Sequence, residues 1–383
     1  MNTPLIDVLI PVFNGERTVR AAIETIQRQT IDDLRIFVID DGSTDSTPRI
    51  LEQISETDPR VQVLTKANSG IVDALNLGLD RCHAEFVARH DGDDLAYPSR
   101  FADQVAYLKA HPECVAVSGA ARHIDEQDHP TGAVARLGSP RSADLNWIPS
   151  REPYLLHPFL MARRSAFQDV RGYRYVYHAE DTDLYWRLLE LGELHNMDTI
   201  LGDYRIHSQS ITGSSVVNGR ISALSSQLAG ISAMRRRRCR PDLAFPKEAL
   251  AHYQCARSLA GMFGAACHGL DKEEAAYFEV SVAAKMLELA SYRPYELEYD
   301  DCVYIHDAVI RNTHRLAPDN HALLNRYLSG TAARLAHKGL LAEAMALLPP
   351  GHYPAALARL VFRACVPHRA RHLAKRLRNR ADK

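Results

Sequence analysis

Four short apolar runs rich in β-branched residues, separated by three helical stretches, fill the first 90 residues and leave few folds open. Leu5 to Ile10 is halted at Pro11, and Glu16 to Gln29 follows with Val19, Ala22, Ile23 and Ile26 at helical spacing. Leu34 to Ile39 repeats the strand signal, after which Thr47 and Pro48 supply an N-cap and first helical residue for Pro48 to Glu56. Val61 to Leu64 reads as a third strand, Gly70 to Cys82 as a third helix and Glu85 to His90 as a fourth strand. Strands and helices alternating at this spacing pair in parallel through right-handed crossovers. Such a sheet binds ligands beyond the carboxyl ends of its strands.

The loops at those ends are Pro11 to Asn14, Asp40 to Asp45, Lys66 to Gly70 and Asp91 to Asp94, all polar or acidic and all opening on one edge. Asp91, Asp93 and Asp94 crowd three carboxylates into four positions, and they repel one another unless a cation or water satisfies them. Mg²⁺ and Mn²⁺ favour carboxylate and phosphate oxygens, so an Asp-x-Asp at a strand end is a candidate metal–diphosphate site. A solvated turn is the alternative for an isolated cluster of this kind. Two successive strands delivering clustered Asp to the same edge favour a nucleotide–metal crevice.

Cys114 to Ser118 reads as a further strand, Ala120 to Pro140 as an irregular polar stretch, and Leu156 to Met161 as a short apolar segment. Glu180 and Asp181 stand at the start of a helical pattern that runs on to Leu191, where the helix dipole stabilises anions; a simple acidic N-cap fits as well. Gly172 leaves room for a ligand close to the backbone or is a turn glycine. Gly202 to His207 is a strand-like run ending in Arg205 and His207, and Ser208 to Ser215 is either a loop that closes over a ligand or a linker.

From Asn218 onward Ile221 to Met234, Lys247 to Phe263, Glu273 to Leu289, Cys302 to Arg311, Leu323 to Leu335 and Leu341 to Leu348 carry helical spacing without strands, which implies a small all-helical domain. A chain of 383 residues accommodates both parts. Arg235 to Arg238 reads as a solvated corner. The stretch from Arg359 to Arg380 interleaves apolar and cationic residues, as a helix lying on an anionic membrane does; a nucleic-acid tail would read similarly but lacks an aromatic platform. With 46 Lys and Arg against 47 Asp and Glu, nothing global points to nucleic acid. No signal peptide or membrane-spanning run is apparent, and seven scattered cysteines without a C-x-x-C pair suggest neither a disulfide framework nor a zinc site. A cytoplasmic setting is the expectation.

Val8 to Asn14, Val38 to Asp45, Asn68 to Gly70 with Asn76, and Asp91 to Asp94 with Pro98 and Arg100 together resemble family 2 glycosyltransferases of the GT-A fold. The resemblance spans roughly the first 210 residues. It implies an α/β catalytic domain, Rossmann-like with a mostly parallel sheet, over 1–217; the helical domain with its basic amphipathic tail, read from its spacing, follows over 218–383, where the resemblance says nothing specific. It implies inverting, Mn²⁺- or Mg²⁺-dependent transfer from a UDP-sugar to a saccharide or lipid-linked glycan hydroxyl in surface-polysaccharide synthesis. Peripheral contact with the inner face of the cell membrane and homo-oligomerisation are compatible with it.

Residue by residue, the resemblance implies nucleotide contacts from Pro11, Val12, Asn14, Glu16 and Asp41 and from Lys66, Asn68, Gly70, Asn76, Asp91 and Gly92. It implies a metal held by Asp93, Asp91 and His207, sugar or acceptor contacts from Asp94, Gly172 and Arg205, and Asp181 as catalytic base with Glu180 beside it. Chemistry agrees with a carboxylate such as Asp41 there, since it accepts from the imide N–H of uracil, a donor that cytosine lacks; Asp40 is equally close in sequence but points to the opposite face of the strand, and the resemblance alone favours Asp41. Two rivals differ in class. A sugar nucleotidyltransferase calls for a Gly-rich loop where Pro11 to Glu16 is poor in glycine. A silent binding or scaffold protein has no need to keep Asp91, Asp93, Asp181 and His207 together.

Overall fold

In this computed structural model, which describes residues 3–207, 215–256 and 258–348, the amino-terminal alternation forms as its spacing predicts. β1 (Ile6–Val12), β2 (Leu34–Asp40), β3 (Val61–Thr65) and β4 (Phe86–Arg89) run parallel in the order β3-β2-β1-β4. They are joined through α1 (Val19–Gln27), α2 (Thr47–Thr57) and α3 (Ile71–Leu79). Val12 sits opposite Asp40 and Leu9 opposite Arg89, so the loops after β1, β2 and β4 leave the sheet at one edge.

Side-chain alternation along β1 builds a core on each face. Val8, Ile10 and Val12 pack with Val19, Ile23 and Ile26 of α1, whereas Leu9 joins Phe37, Ile39 and Leu75 of α3 on the other side. Each such aliphatic side chain, taken fully out of water, contributes about 1.5–3 kcal/mol.

Beyond β4 the sheet becomes mixed. β5 (Leu95–Ala96), α4 (Arg100–Ala110), β6 (Cys114–Ile124), β7 (Pro130–Ala135), β8 (Met161–Arg163), α5 (Arg164–Asp169), α6 (Glu180–Leu188) and β9 (Glu193–Arg205) complete this part. The order continues β4-β8-β6-β9-β5 with β7 on β6; β8 is antiparallel to β4 and β6, and β9 is parallel to β6. Ala120 to Pro140 is therefore largely not irregular. β6 continues to Ile124 and turns into β7 through Asp125, whose Oδ1 accepts from the backbone N–H of Gln127 and of His129, each at 2.9 Å. β7 is exposed along nearly its whole length and so lacks the period-two signal that marks a half-buried strand. Helix α4, not expected from the sequence, buries Phe101, Val105 and Leu108 one and two turns apart.

Contacts divide the chain into two units. The first comprises Met1–Leu145, Arg151–Ser210 and Ser232–Lys247; the second comprises Asn146–Ser150, Ile211–Ile231 and Glu248–Lys383. Helix α7 (Val216–Arg237) contributes to both. The second unit continues with α8 (Ala249–Cys255), α9 (Leu259–Ala266), α10 (Lys272–Ala290), α11 (Tyr299–Asn312), α12 (Pro318–His337) and α13 (Leu341–Leu347), and among the described residues it has no strand. Its buried Arg220 is held by Asp301 at 2.7 and 2.9 Å and by Glu298 at 2.5 Å, an ion cluster at the capped start of α11. Among the described residues no helix is long and apolar enough to cross a membrane. The tail from Arg359 to Arg380 and residues 208–214 lie outside the described residues.

Candidate active site

The loops after β1 and β2 are stitched to each other by side chains accepting from backbone N–H groups. Asn14 Oδ1 accepts from Thr44 N at 2.8 Å, Glu16 Oε2 from Ser46 N at 2.9 Å, Thr47 Oγ1 from Gly15 N at 2.8 Å and Asp45 Oδ2 from Glu16 N at 3.1 Å. Asp40 is buried and accepts from Ser43 N at 2.9 Å. Asp41 accepts from Ser69 N at 3.0 Å and Gly70 N at 2.8 Å and pairs with Lys66, which ties the third loop to the second. Gly42 has φ +77, and a Cβ there would lie 2.7 Å from Asn68 N, so this close approach requires glycine.

The end of β4 is fixed from below by Arg100, which is fully buried. It donates to the Arg89 carbonyl at 2.6 Å, the Pro158 carbonyl at 3.2 Å and His90 Nδ1 at 3.0 Å. Arginine cannot accept, so His90 Nδ1 is the acceptor and Nε2 carries the proton, donated to the Asp94 carbonyl at 3.1 Å. Burial and the adjacent guanidinium hold the His90 imidazole well below its ordinary pKa, hence neutral. Burial brings Arg100 down to about 9, which leaves it charged at neutral pH. Arg100, named in the sequence only as part of a motif, thereby sets the posture of Asp91 to Asp94.

Above this support opens a cleft of about 900 Å³. Its walls include Pro11, Val12, Asn14, Glu16, Asp91, Gly92, Asp93, Arg205 and His207, nine residues that the sequence reading assigns to ligand or metal. They also include Phe13, Arg17, Thr18, Asp45, Ile71, Arg89 and Glu126, which that reading did not single out. Phe13 is half exposed and Ile71 is exposed, both in the cleft lining. Arg89 was signalled only as a lone charge ending an apolar strand.

Asp91, Asp93 and Asp94 each offer a carboxylate oxygen within 4.8 Å of the others. His207 Nε2 lies 2.6 Å from Asp93 Oδ2, both side chains partly exposed to the cleft. Asp94 is buried; its Oδ1 accepts from Arg205 N at 2.8 Å and its Oδ2 has no partner among the described residues. Burial, and for Asp94 the neighbouring carboxylates, push the Asp91 and Asp94 pKa values up. A set of crowded carboxylates with an imidazole alongside suits a hard divalent cation, which relieves this repulsion. Arg205 braces the site: it donates to the Asp93 carbonyl at 2.8 Å, the Asp125 carbonyl at 2.9 Å and Asp128 Oδ1 at 2.5 Å.

Glu180 and Asp181 open α6, with Asp181 Oδ1 accepting from Thr182 N at 2.7 Å. Burial first, then the charge of Asp181, raises the Glu180 carboxyl to about 7, and Asp91 is near enough to push it further up. Asp181 is raised by burial as well, opposed by its hydrogen bonds and Arg89. Behind them Asp183 is fully buried between Arg174 and Arg187, and Arg187 Nη1 donates to the carbonyls of Val170 at 2.6 Å and Gly172 at 2.7 Å. The start of α6 is thus locked to the preceding loop.

Asn76 and Gly172 lie elsewhere. Asn76 brackets the Tyr173 backbone, donating to its carbonyl at 2.9 Å and accepting from its N–H at 2.8 Å, and Gly172, at φ +66, packs against Asn76 beside a separate cavity of about 440 Å³. Asp41, Lys66, Asn68 and Gly70 are not among the residues lining the larger cleft. Arg235 to Arg238 is no uniformly solvated corner, because Arg235 is buried and Arg236 pairs with Glu190 and Asp242 at 2.9 Å.

Comparison with known proteins bears on the same region. The profile of the domain described as Glycosyl transferase family 2 matches residues 7–171. The amylovoran biosynthesis glycosyltransferase AmsE of Erwinia amylovora is 30% identical over 220 residues, 56% of this chain and 79% of that protein. The O-antigen biosynthesis glycosyltransferase WbnJ of Escherichia coli is 28% identical over 210 residues, 54% of this chain and 81% of the other. In fold, a crystal structure of S. aureus TarS 1–349 in complex with UDP-GlcNAc superposes with a TM-score of 0.53 at 15% identity over 89% of each chain. With an acidic strand-end cluster at the edge of a mixed α/β sheet of the GT-A kind and relatives matched over most of their length, this chain belongs to glycosyl transferase family 2.

Proposed function

We propose that the protein transfers a sugar, with inversion, from a UDP-sugar to a hydroxyl of a saccharide or lipid-linked glycan in surface-polysaccharide synthesis, using Mn²⁺ or Mg²⁺. The observation that carries this reading is the meeting of Asp91, Asp93 and His207 at one wall of the 900 Å³ cleft, beside the loops after β1 and β2. The names of AmsE and WbnJ, both biosynthetic glycosyltransferases of polysaccharides, support the product class. Residues 1–217 form the catalytic domain in this reading and 218–383 a helical domain. Its basic tail touches anionic lipid, which sedimentation with anionic vesicles at low salt would test; protein left wholly in the supernatant rules this out.

Asp91, Asp93 and His207 hold the cation, which when bound neutralises charge on the departing diphosphate. Val12, Asn14 and Glu16 line the nucleotide end of the cleft. Asp181 takes the proton of the acceptor hydroxyl as that oxygen attacks the anomeric carbon, and the raised pKa of the Glu180–Asp181 pair suits a base working near neutrality. The test is release of UDP from a panel of UDP-sugars in Mn²⁺. One donor should be hydrolysed or transferred by the wild type, and Asp181→Asn should slow it ~10²–10⁴-fold with donor affinity retained. Wild-type turnover in Asp181→Asn contradicts the assignment of the base.

A further inference from the structure

Arg89 is the last residue of β4 and lines the cleft, yet its side chain is only 5% exposed. One nitrogen, Nη2, pairs with Asp91 Oδ1 at 2.5 Å. The other two, Nε and Nη1, are buried and have no hydrogen-bond partner among the described residues. Leaving donors of a buried cation unmade is costly, more so than for a neutral group. The Asp91 pair answers only one of the three nitrogens.

Arg89 lines the cleft and holds Asp91, the carboxylate assigned to the diphosphate and its metal. Its charge also favours the ionised forms of Glu180 and Asp181, the carboxylates assigned to the acceptor, and of Tyr185. Tyr185 lies one turn after Asp181 on α6, is fully buried, and its hydroxyl likewise lacks a partner among the described residues. Between the leaving diphosphate and the incoming hydroxyl lies the sugar being transferred. Resting on the nucleotide-sugar reading above, we propose that Arg89 binds that sugar, its Nε and Nη1 N–H groups donating to ring-substituent oxygens, hydroxyl or carboxylate, of the donor. The oxygens served are remote from the anomeric carbon, because a guanidinium beside that carbon would oppose the positive charge building there. Arg89 then contributes to the choice of donor rather than to holding the nucleotide.

The test is calorimetric titration of the full-length protein in Mn²⁺ with UDP, UDP-glucose, UDP-N-acetylglucosamine and UDP-glucuronate. For the UDP-sugar that the wild type binds best, Arg89→Met should weaken binding at least tenfold more than it weakens binding of UDP itself. Arg89→Lys, which keeps the charge but not the geometry of the donors, should fall between the two and serves in its place if the Met variant does not fold. Equal losses for UDP and UDP-sugar place Arg89 on the diphosphate and overturn the proposal, as does no loss for either. Wild-type protein that binds none of the four in Mn²⁺ overturns the UDP reading itself and this inference with it.

Discussion

Glu180 is the residue through which pH acts most directly on this site. Its carboxyl, raised to about 7 by burial and by Asp181, is protonated in the folded protein over a range where the unfolded chain has lost the proton. The stabilisation this represents is complete below the ordinary glutamate pKa and disappears as pH rises through about 7. Glu180→Gln, which stays neutral, should therefore melt at a higher temperature than wild type at pH 8 and at the same temperature at pH 4, as read by paired thermal scans. In the wild type the acidic limb of kcat/KM should lie above the ordinary aspartate range, because burial raises the carboxyl of the base Asp181; a limb at the ordinary aspartate value would contradict that assignment. At this scale the sequence was informative where charged residues crowd one strand end. Asp91 and Asp93 line the cleft, with carboxylate oxygens close to one another and to Asp94. Asn76 on α3 and Asp41 after β2 bond neighbouring backbone groups, which an amide or carboxylate does as readily as it binds a ligand.

Elements were legible where hydrophobic periodicity stands clear. β1 to β4 and α1 to α3 were readable because both faces of the parallel sheet are covered, which leaves apolar runs. β7 pairs only with β6 and is exposed, so its sequence carries no such run. β9 extends over 13 residues across register shifts that break its alternation, and only its end, Gly202 to Arg205, reads as strand. The loop between α5 and α6 depends on conformations that sequence pattern does not encode: Arg171, Gly172 and His178 all have positive φ. Gly172→Ala would add a Cβ 2.5 Å from Asn76 Oδ1 at φ +66. It should cost about 1–3 kcal/mol, seen as a lower denaturation midpoint. An unchanged midpoint would mean that the loop before α6 is not held as described.

At the scale of the whole molecule, the reading of a sheet-bearing part followed by helices was available from the loss of strand signal after Asn218. What the sequence did not disclose is that Ser232–Lys247 belongs with the first unit and Asn146–Ser150 with the second. The reason is physical: Arg236 is drawn to Glu190 and Asp242, and Asn320 donates to the Asn146 carbonyl at 3.2 Å, contacts between residues far apart in the chain. The central claim, that Asp91, Asp93 and His207 hold a cation that binds the diphosphate of UDP, is a claim about coupling between two ligands. Calorimetric titration of UDP into full-length wild type and Asp93→Ala, in Mn²⁺ and in chelator, measures that coupling directly. The account predicts binding by the wild type that is at least about tenfold tighter in Mn²⁺, and a variant in which the metal makes little difference. Equal, tight binding of UDP with and without metal, in both proteins, would contradict it.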